Sequence, residues 1–204
     1  EGQKAFRGAD GVIRIFRPEE NAKRMRSSAE YLKMALPPVD MFVDMMKRVV
    51  KANERFVPPY GTGASLYIRP VLFGTGPQVG VKPAGEYLLI VFVTPVGPYY
   101  KEGFNPIKVL IDRDHDRAAP LGTGHVKAGG NYAASLTSAE IGHEKGYPSV
   151  LYLDAKEKKH IDECGAANFF GIRNGVYITP KSHSVLPSIT NMSLMTLAAD
   201  LGLK

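Results

Sequence analysis

Apolar positions change their rhythm twice along the first half of this chain. Residues 11–16 (Gly-Val-Ile-Arg-Ile-Phe) alternate as a strand does. From Pro18 the period lengthens: Ala22, Met25, Ala29 and Leu32 recur at helical spacing, behind a Pro18-Glu19-Glu20 first turn whose carboxylates suit the helix dipole. Pro37-Pro38 stops that pattern. Asp40 is read as the N-cap of a second helix with Phe42, Met45, Met46 and Val49 on one face, ending before Pro58-Pro59. Its methionines read as core. Strands return after residues 60–63: Ser65 to Ile68, then Tyr87 to Val93, apolar throughout as a strand covered on both faces would be.

Pro95, Gly97, Pro98, Gly103 and Pro106 interrupt helix and sheet alike, so the linker is expected over 96–106. That divides the chain into an N-terminal α/β domain, 1–95, and a C-terminal domain, 107–204. The second holds strand-like segments at 107–111, 149–153, 167–172 and 175–179, a helix near 131–145 and a last helix from about residue 191 to 201. There is no internal repeat.

Composition changes this picture little. The 204 residues, 44% of them hydrophobic, suffice for two small cored domains. The net charge of +6 would suit a polyanion, but basic and acidic residues are interleaved, which argues against nucleic acid and equally well describes a basic enzyme that binds small anions. The single Cys164 excludes an internal disulfide framework and fits a reducing compartment, so the cytoplasm is the expectation. The longest apolar run, Tyr87 to Val93, falls short of the ~18 residues that cross a bilayer, so a soluble protein without membrane partner is expected. The chain begins at Glu1 rather than Met and carries no start signal.

Three segments carry candidate chemistry. Gly122-Thr-Gly-His-Val-Lys127-Ala-Gly-Gly-Asn-Tyr132 sets glycines on both sides of one lysine, letting backbone approach that amine or whatever it binds. It is not a phosphate-binding GxxxxGK[ST] loop, because Val126 precedes Lys127. The plain alternative is a glycine-rich turn with a surface lysine. Glu163 lies where a charged turn runs into an apolar strand, and its plain alternative is a solvated turn acid. In Leu186-Pro-Ser-Ile189-Thr190-Asn191, Thr190 reads as an N-cap, with Ile189 and Leu194 at the positions of a hydrophobic staple. The free N–H groups of such a helix start suit a phosphate; a capped structural helix reads equally well.

The order and wording of these segments resemble the branched-chain aminotransferase family of fold-type-IV pyridoxal-phosphate enzymes. The likeness rests on Phe-Arg-Pro-Glu-Glu-Asn-Ala-Lys-Arg-Met (16–25), Ala-Ser-Leu-Tyr67-Ile-Arg69-Pro, Pro-Val-Gly-Pro-Tyr-Tyr (95–100), Lys127-Ala-Gly-Gly-Asn-Tyr132, Glu163-Cys-Gly-Ala-Ala-Asn168 and Leu-Pro-Ser-Ile-Thr190, and covers nearly the whole chain. It implies an α/β (α+β) protein of two domains, the second built on a barrel-like sheet carrying Lys127 and Glu163. It implies pyridoxal 5'-phosphate as cofactor, no metal, a homodimer, and transamination of leucine, isoleucine and valine with 2-oxoglutarate as acceptor. By the resemblance, Lys127 carries the cofactor as a Schiff base and then moves the substrate's α-proton. Glu163 faces the pyridine nitrogen, Tyr132 the phenolic oxygen. Arg24 clamps the phosphate with the amides of Ile189 and Thr190. Lys4, Tyr67 and Arg69 match the substrate side, where the α-carboxylate is held. Ala166 stands where many relatives have Thr, and Ser188 where Gly is common, which bears on substrate preference.

The resemblance also implies further strands before Glu1 and after Lys204, and little or no activity in these 204 residues alone. Rival readings are another fold-type-IV enzyme, such as a D-amino-acid aminotransferase or aminodeoxychorismate lyase, and a non-catalytic basic binding protein. Tyr67-Ile-Arg69 and Gly-Gly-Asn-Tyr132 favour the branched-chain enzyme over the first rival.

Overall fold

The computed structural model describes residues 1–98, 103 and 105–204. Contacts divide the chain into two units, Glu1–Asn105 and Pro106–Lys204. Much of the expected linker, 99–102 and 104, lies outside the described residues, as do Tyr99 and Tyr100 of the Pro-Val-Gly-Pro-Tyr-Tyr string. Pro95 and Val96 are not linker: both pair within the last strand of the first unit.

The first unit is an antiparallel sheet ordered β2-β1-β3-β4, made of β1 (Gln3–Arg7), β2 (Ile13–Ile15), β3 (Ser65–Thr75) and β4 (Glu86–Val96). Helices α1 (Pro18–Tyr31) and α2 (Val39–Ala52) cross between β2 and β3. Their apolar stripes, Ala22 and Met25 on α1 and Phe42, Met46 and Val50 on α2, close on Ala5, Leu66 and Ile68 to form the core. Two expected helix ends shift. The first helix stops at Tyr31, before Pro37, because Lys33 turns left-handed (φ 56°) and the Met34 amide folds back to Ala29 O. The second starts two residues early, with Pro38 in the cap position, leaving Asp40 in the first turn as a charge on the dipole instead of a cap.

Strand β4 corrects a further expectation. It is covered on one face only: Leu89, Val91 and Val93 pack on the core, while Leu88, Ile90 and Phe92 are exposed. A continuous apolar run hides this alternation, since both faces carry the same residue type.

The second unit has β5 (Leu110–Asp112), α3 (Gly129–Ala134), α4 (Leu136–Glu144), β6 (Val150–Leu153), β7 (Ile161–Cys164), β8 (Ala167–Asn168), β9 (Gly171–Arg173), β10 (Val176–Ile178) and α5 (Ile189–Asp200). One sheet is ordered β5-β6-β7-β8, with β5 parallel to β6 across the α3–α4 crossover and the rest antiparallel; β9 and β10 form a separate hairpin. The helix expected over 131–145 is two helices divided at Ser135. The strand expected over 167–172 is likewise two, β8 and β9.

Candidate active site

Lys127 ends the glycine-rich segment immediately before α3. Its Nζ donates to the Tyr132 hydroxyl at 2.5 Å and lies 5.0 Å from the centre of that ring. The segment is shaped from within: the buried Asn131 amide donates to Thr123 O and Val126 O, and its Oδ1 accepts from Thr123 Oγ1. The glycines divide the work differently from the sequence expectation. Gly124 is required because a Cβ there would collide with the Ser184 backbone, whereas Cβ atoms at Gly129 and Gly130 would meet nothing within 4 Å.

Glu163, on β7, is only 2% exposed. Its Oε1 accepts from Asn168 Nδ2 at 2.6 Å and from the Leu186 amide at 3.2 Å, and its Oε2 is ion-paired with Arg117 Nε. Burial pushes its carboxyl up to about 7, with Asp162 adding to the rise while Arg117 and the two hydrogen bonds oppose it. It is therefore no solvated turn acid. Asn168 also donates to Leu186 O, which fixes the segment leading into α5. Ile189 and Thr190 occupy the first turn of α5, whose leading amides have no intrahelical acceptor. Thr190 is not the N-cap. Ser188 is: it is extended (φ −88°, ψ 128°) and its side chain accepts from the Asn191 amide, so the staple positions inferred from a Thr190 cap do not apply. Ala166 sits exposed at the turn between β7 and β8.

In the first unit, strand register sets Lys4 opposite Tyr67, and Arg69, two residues on, shares their face of the sheet. The Arg69 guanidinium lies 4.9 Å from the Tyr67 ring centre, and a Cβ at Gly2 would strike the Tyr67 hydroxyl, so any other residue there would displace that ring. Arg24 is held elsewhere. From α1 its Nε and Nη2 reach the buried Glu1 carboxylate, the closest contact being 2.7 Å, and Asn21 supports the same carboxylate. Burial pushes Glu1 up, but Arg24, with the N-terminal ammonium and Asn21, holds the carboxyl below its usual value.

The second unit thus holds an amine against a phenol, a buried and paired carboxylate tied through Arg117 to Gly124 O, and a helix start with unused amides. The family model for class IV amino-transferases matches residues 5–204. The chain belongs to the class IV aminotransferases. It is 51% identical over 206 residues to the branched-chain-amino-acid aminotransferase of Haemophilus influenzae, covering 98% of this chain and 60% of that protein. It is 48% identical to the chloroplastic branched-chain-amino-acid aminotransferase 5 of Arabidopsis thaliana, covering 100% and 49% respectively. This chain thus spans about half to three fifths of the length of these relatives. Among solved structures it resembles the branched-chain amino acid aminotransferase of T.th. with pyridoxamine 5'-phosphate (29% identity, TM-score 0.85, 100% of this chain and 65% of that one). It also resembles the enzyme of Escherichia coli (26%, TM-score 0.80, 100% and 64%). These likenesses bear out the mixed helix and sheet fold expected from the sequence.

Within this class IV aminotransferase chain, three site residues had no role assigned from sequence. Asn131 and Asn168 stood inside the strings that carried the resemblance, where an asparagine beside a glycine pair or after a turn is the available signal. Arg117 stands in the charged run 112–117 and gave none.

Proposed function

We propose that the residues of this chain serve pyridoxal-phosphate-dependent transamination of leucine, isoleucine and valine with 2-oxoglutarate. The observation that supports it is the Lys127–Tyr132 contact together with a buried Glu163, in a chain of this family whose relatives are named for branched-chain amino acids. The residues suit the cofactor: open ground beside Gly129 and Gly130, an acceptor for a ring N–H, and unused amides for a phosphate. When bound, the cofactor supplies an electron sink at its protonated ring nitrogen. Lys127 would hold it covalently and, once displaced by the substrate amine, take the α-proton on Nζ. Tyr132 would donate to the phenolic oxygen, and Glu163 would keep the ring nitrogen protonated. The Ile189 and Thr190 amides would take the phosphate. Lys4, Tyr67 and Arg69 would meet the substrate α-carboxylate, and Ala166 would border the side chain.

No helix among the described residues is long and apolar enough to cross a membrane. We further propose a homodimer in the cytoplasm. The exposed Leu88, Ile90 and Phe92 support the dimer, since they lie on the same sheet face as Tyr67 and Arg69. The lone free thiol of Cys164 supports the compartment.

Adding pyridoxal phosphate to the protein is expected to raise a visible absorbance band, and borohydride reduction followed by peptide mapping to place the label on Lys127. Lys127→Ala should remove both band and turnover. A label on Lys4 or Lys181 instead overturns the assignment.

A further inference from the structure

Arg117 is 7% exposed and is held inside the second unit by three groups. Its Nε pairs with Glu163 Oε2, while Nη1 donates to Gly124 O at 2.9 Å and to Ser184 O. Gly124 belongs to the segment that ends at Lys127, and Ser184 to the segment that enters α5, so one guanidinium joins both to Glu163. Acidic groups gather around it. Asp162, beside Glu163 on β7, is also buried and accepts from Ser184 Oγ at 2.5 Å; Asp112 on β5 and Tyr152 on β6 lie within the same field. A carboxylate offers about four acceptor positions. Two on Oε1 are taken by Asn168 and Leu186, and one on Oε2 by Arg117.

We propose that Arg117 is the positioning residue of this site: pinned to Gly124 O and Ser184 O, it offsets the burial of the Glu163 carboxylate and holds it turned so that one acceptor position, on Oε2, is left for a cationic ring N–H. The inference rests on the role given to Glu163 above and adds what makes that role available. A buried carboxyl without a cation beside it holds its proton, and a neutral acid cannot keep a ring nitrogen charged. The fork of the guanidinium matters as much as the charge, because two carbonyls and a carboxylate must be met by one planar group.

The test follows the Glu163 δ-carboxyl carbon by NMR in protein carrying labelled glutamate, assigned with Glu163→Gln, without added cofactor. The wild-type midpoint is expected near 7. Arg117→Met is expected to raise it by about one pH unit or more, since burial and Asp162 are then opposed only by the Asn168 and Leu186 hydrogen bonds. Arg117→Lys, which keeps the charge without the fork, is expected between the two, and it decides the matter alone if Arg117→Met does not fold. A variant whose melting temperature falls while the Glu163 midpoint stays at the wild-type value overturns the proposal, since that is how a purely structural arginine behaves. The titration is read on the protein itself. Failure to bind pyridoxal phosphate would therefore sink the functional reading separately, while the midpoint remained measurable.

Discussion

In Glu1–Asn105 the side chains at the centre are apolar: Phe42, Met46, Leu66 and Ile68 meet Ala5 and Ala22 between one sheet face and two helices. In Pro106–Lys204, Val150–Leu153 are buried too, but β7 beside them carries the buried Glu163 and Asp162, held by Arg117 and Ser184. The first arrangement depends on volume and is indifferent to pH. The second depends on every partner being present, because a buried charge that loses its partner keeps its desolvation cost. The contrast teaches where reactivity can be built. An apolar core can hold a sheet whose other face offers Lys4, Tyr67 and Arg69, but a buried carboxylate at a chosen protonation state needs charged and hydrogen-bonding partners, as Arg117 is for Glu163 and Arg24 for Glu1.

The largest stability effect that separates the two units is expected from Phe42→Ala. Removing a fully buried ring should cost about 3–5 kcal/mol, and the loss should be the same at pH 5 and pH 8. Amide hydrogen exchange locates it: Glu1–Asn105 should loosen, and equal loosening in Pro106–Lys204 would break the comparison between the units.

Glu163→Gln probes the other kind of interior, and its effect should depend on pH. The folded carboxyl titrates near 7, above its ordinary 4.5, so between those values the folded chain holds a proton that the unfolded chain has lost. Stability from this group is therefore present below about pH 4.5 and declines as pH rises towards 7, by up to about 3 kcal/mol. Glu163→Gln, close in shape to the protonated acid, should match the wild type at pH 5 and lack that decline. Urea melts at pH 5, 6, 7 and 8 read the difference; parallel pH slopes for the two proteins would show that Glu163 does not titrate in this window.

What was legible from sequence follows the same division. Helices α1 and α2 announced themselves because their core residues repeat at the helical period, whereas α5 was expected with its cap at Thr190, two residues past the Ser188 that caps it. The half-exposed face of β4 was invisible, since Leu88, Ile90 and Phe92 are as apolar as the buried Leu89 and Val91 between them. Lys127 and Glu163 stood out through the glycines and strings around them. Arg117 did not: Asp112 to Arg117 looks like a solvated turn, and the carboxylate that draws Arg117 inside lies far along the chain, where no local pattern connects the two.

The smallest predicted effect concerns Ser188, and it tests whether pH dependence belongs to the Glu163 network or to the second unit at large. Ser188 Oγ accepts from the Asn191 amide at 3.1 Å, satisfying one of the donors that a helix start leaves unpaired. Ser188→Ala removes that acceptor and should cost about 1 kcal/mol, whereas Ser188→Gly should cost only a few tenths because glycine suits the cap position and lets water reach the amide. Neither loss should vary between pH 5 and 8, as no charge is involved. Thr190→Ala should be close to neutral, since Thr190 is exposed in the first turn and its side chain caps nothing. Thermal melts of the three variants, with amide exchange at 191–194, order them. A Thr190→Ala loss larger than that of Ser188→Ala would return the cap to Thr190. It would also move the helix start, and with it the amides offered to a phosphate, further along the chain.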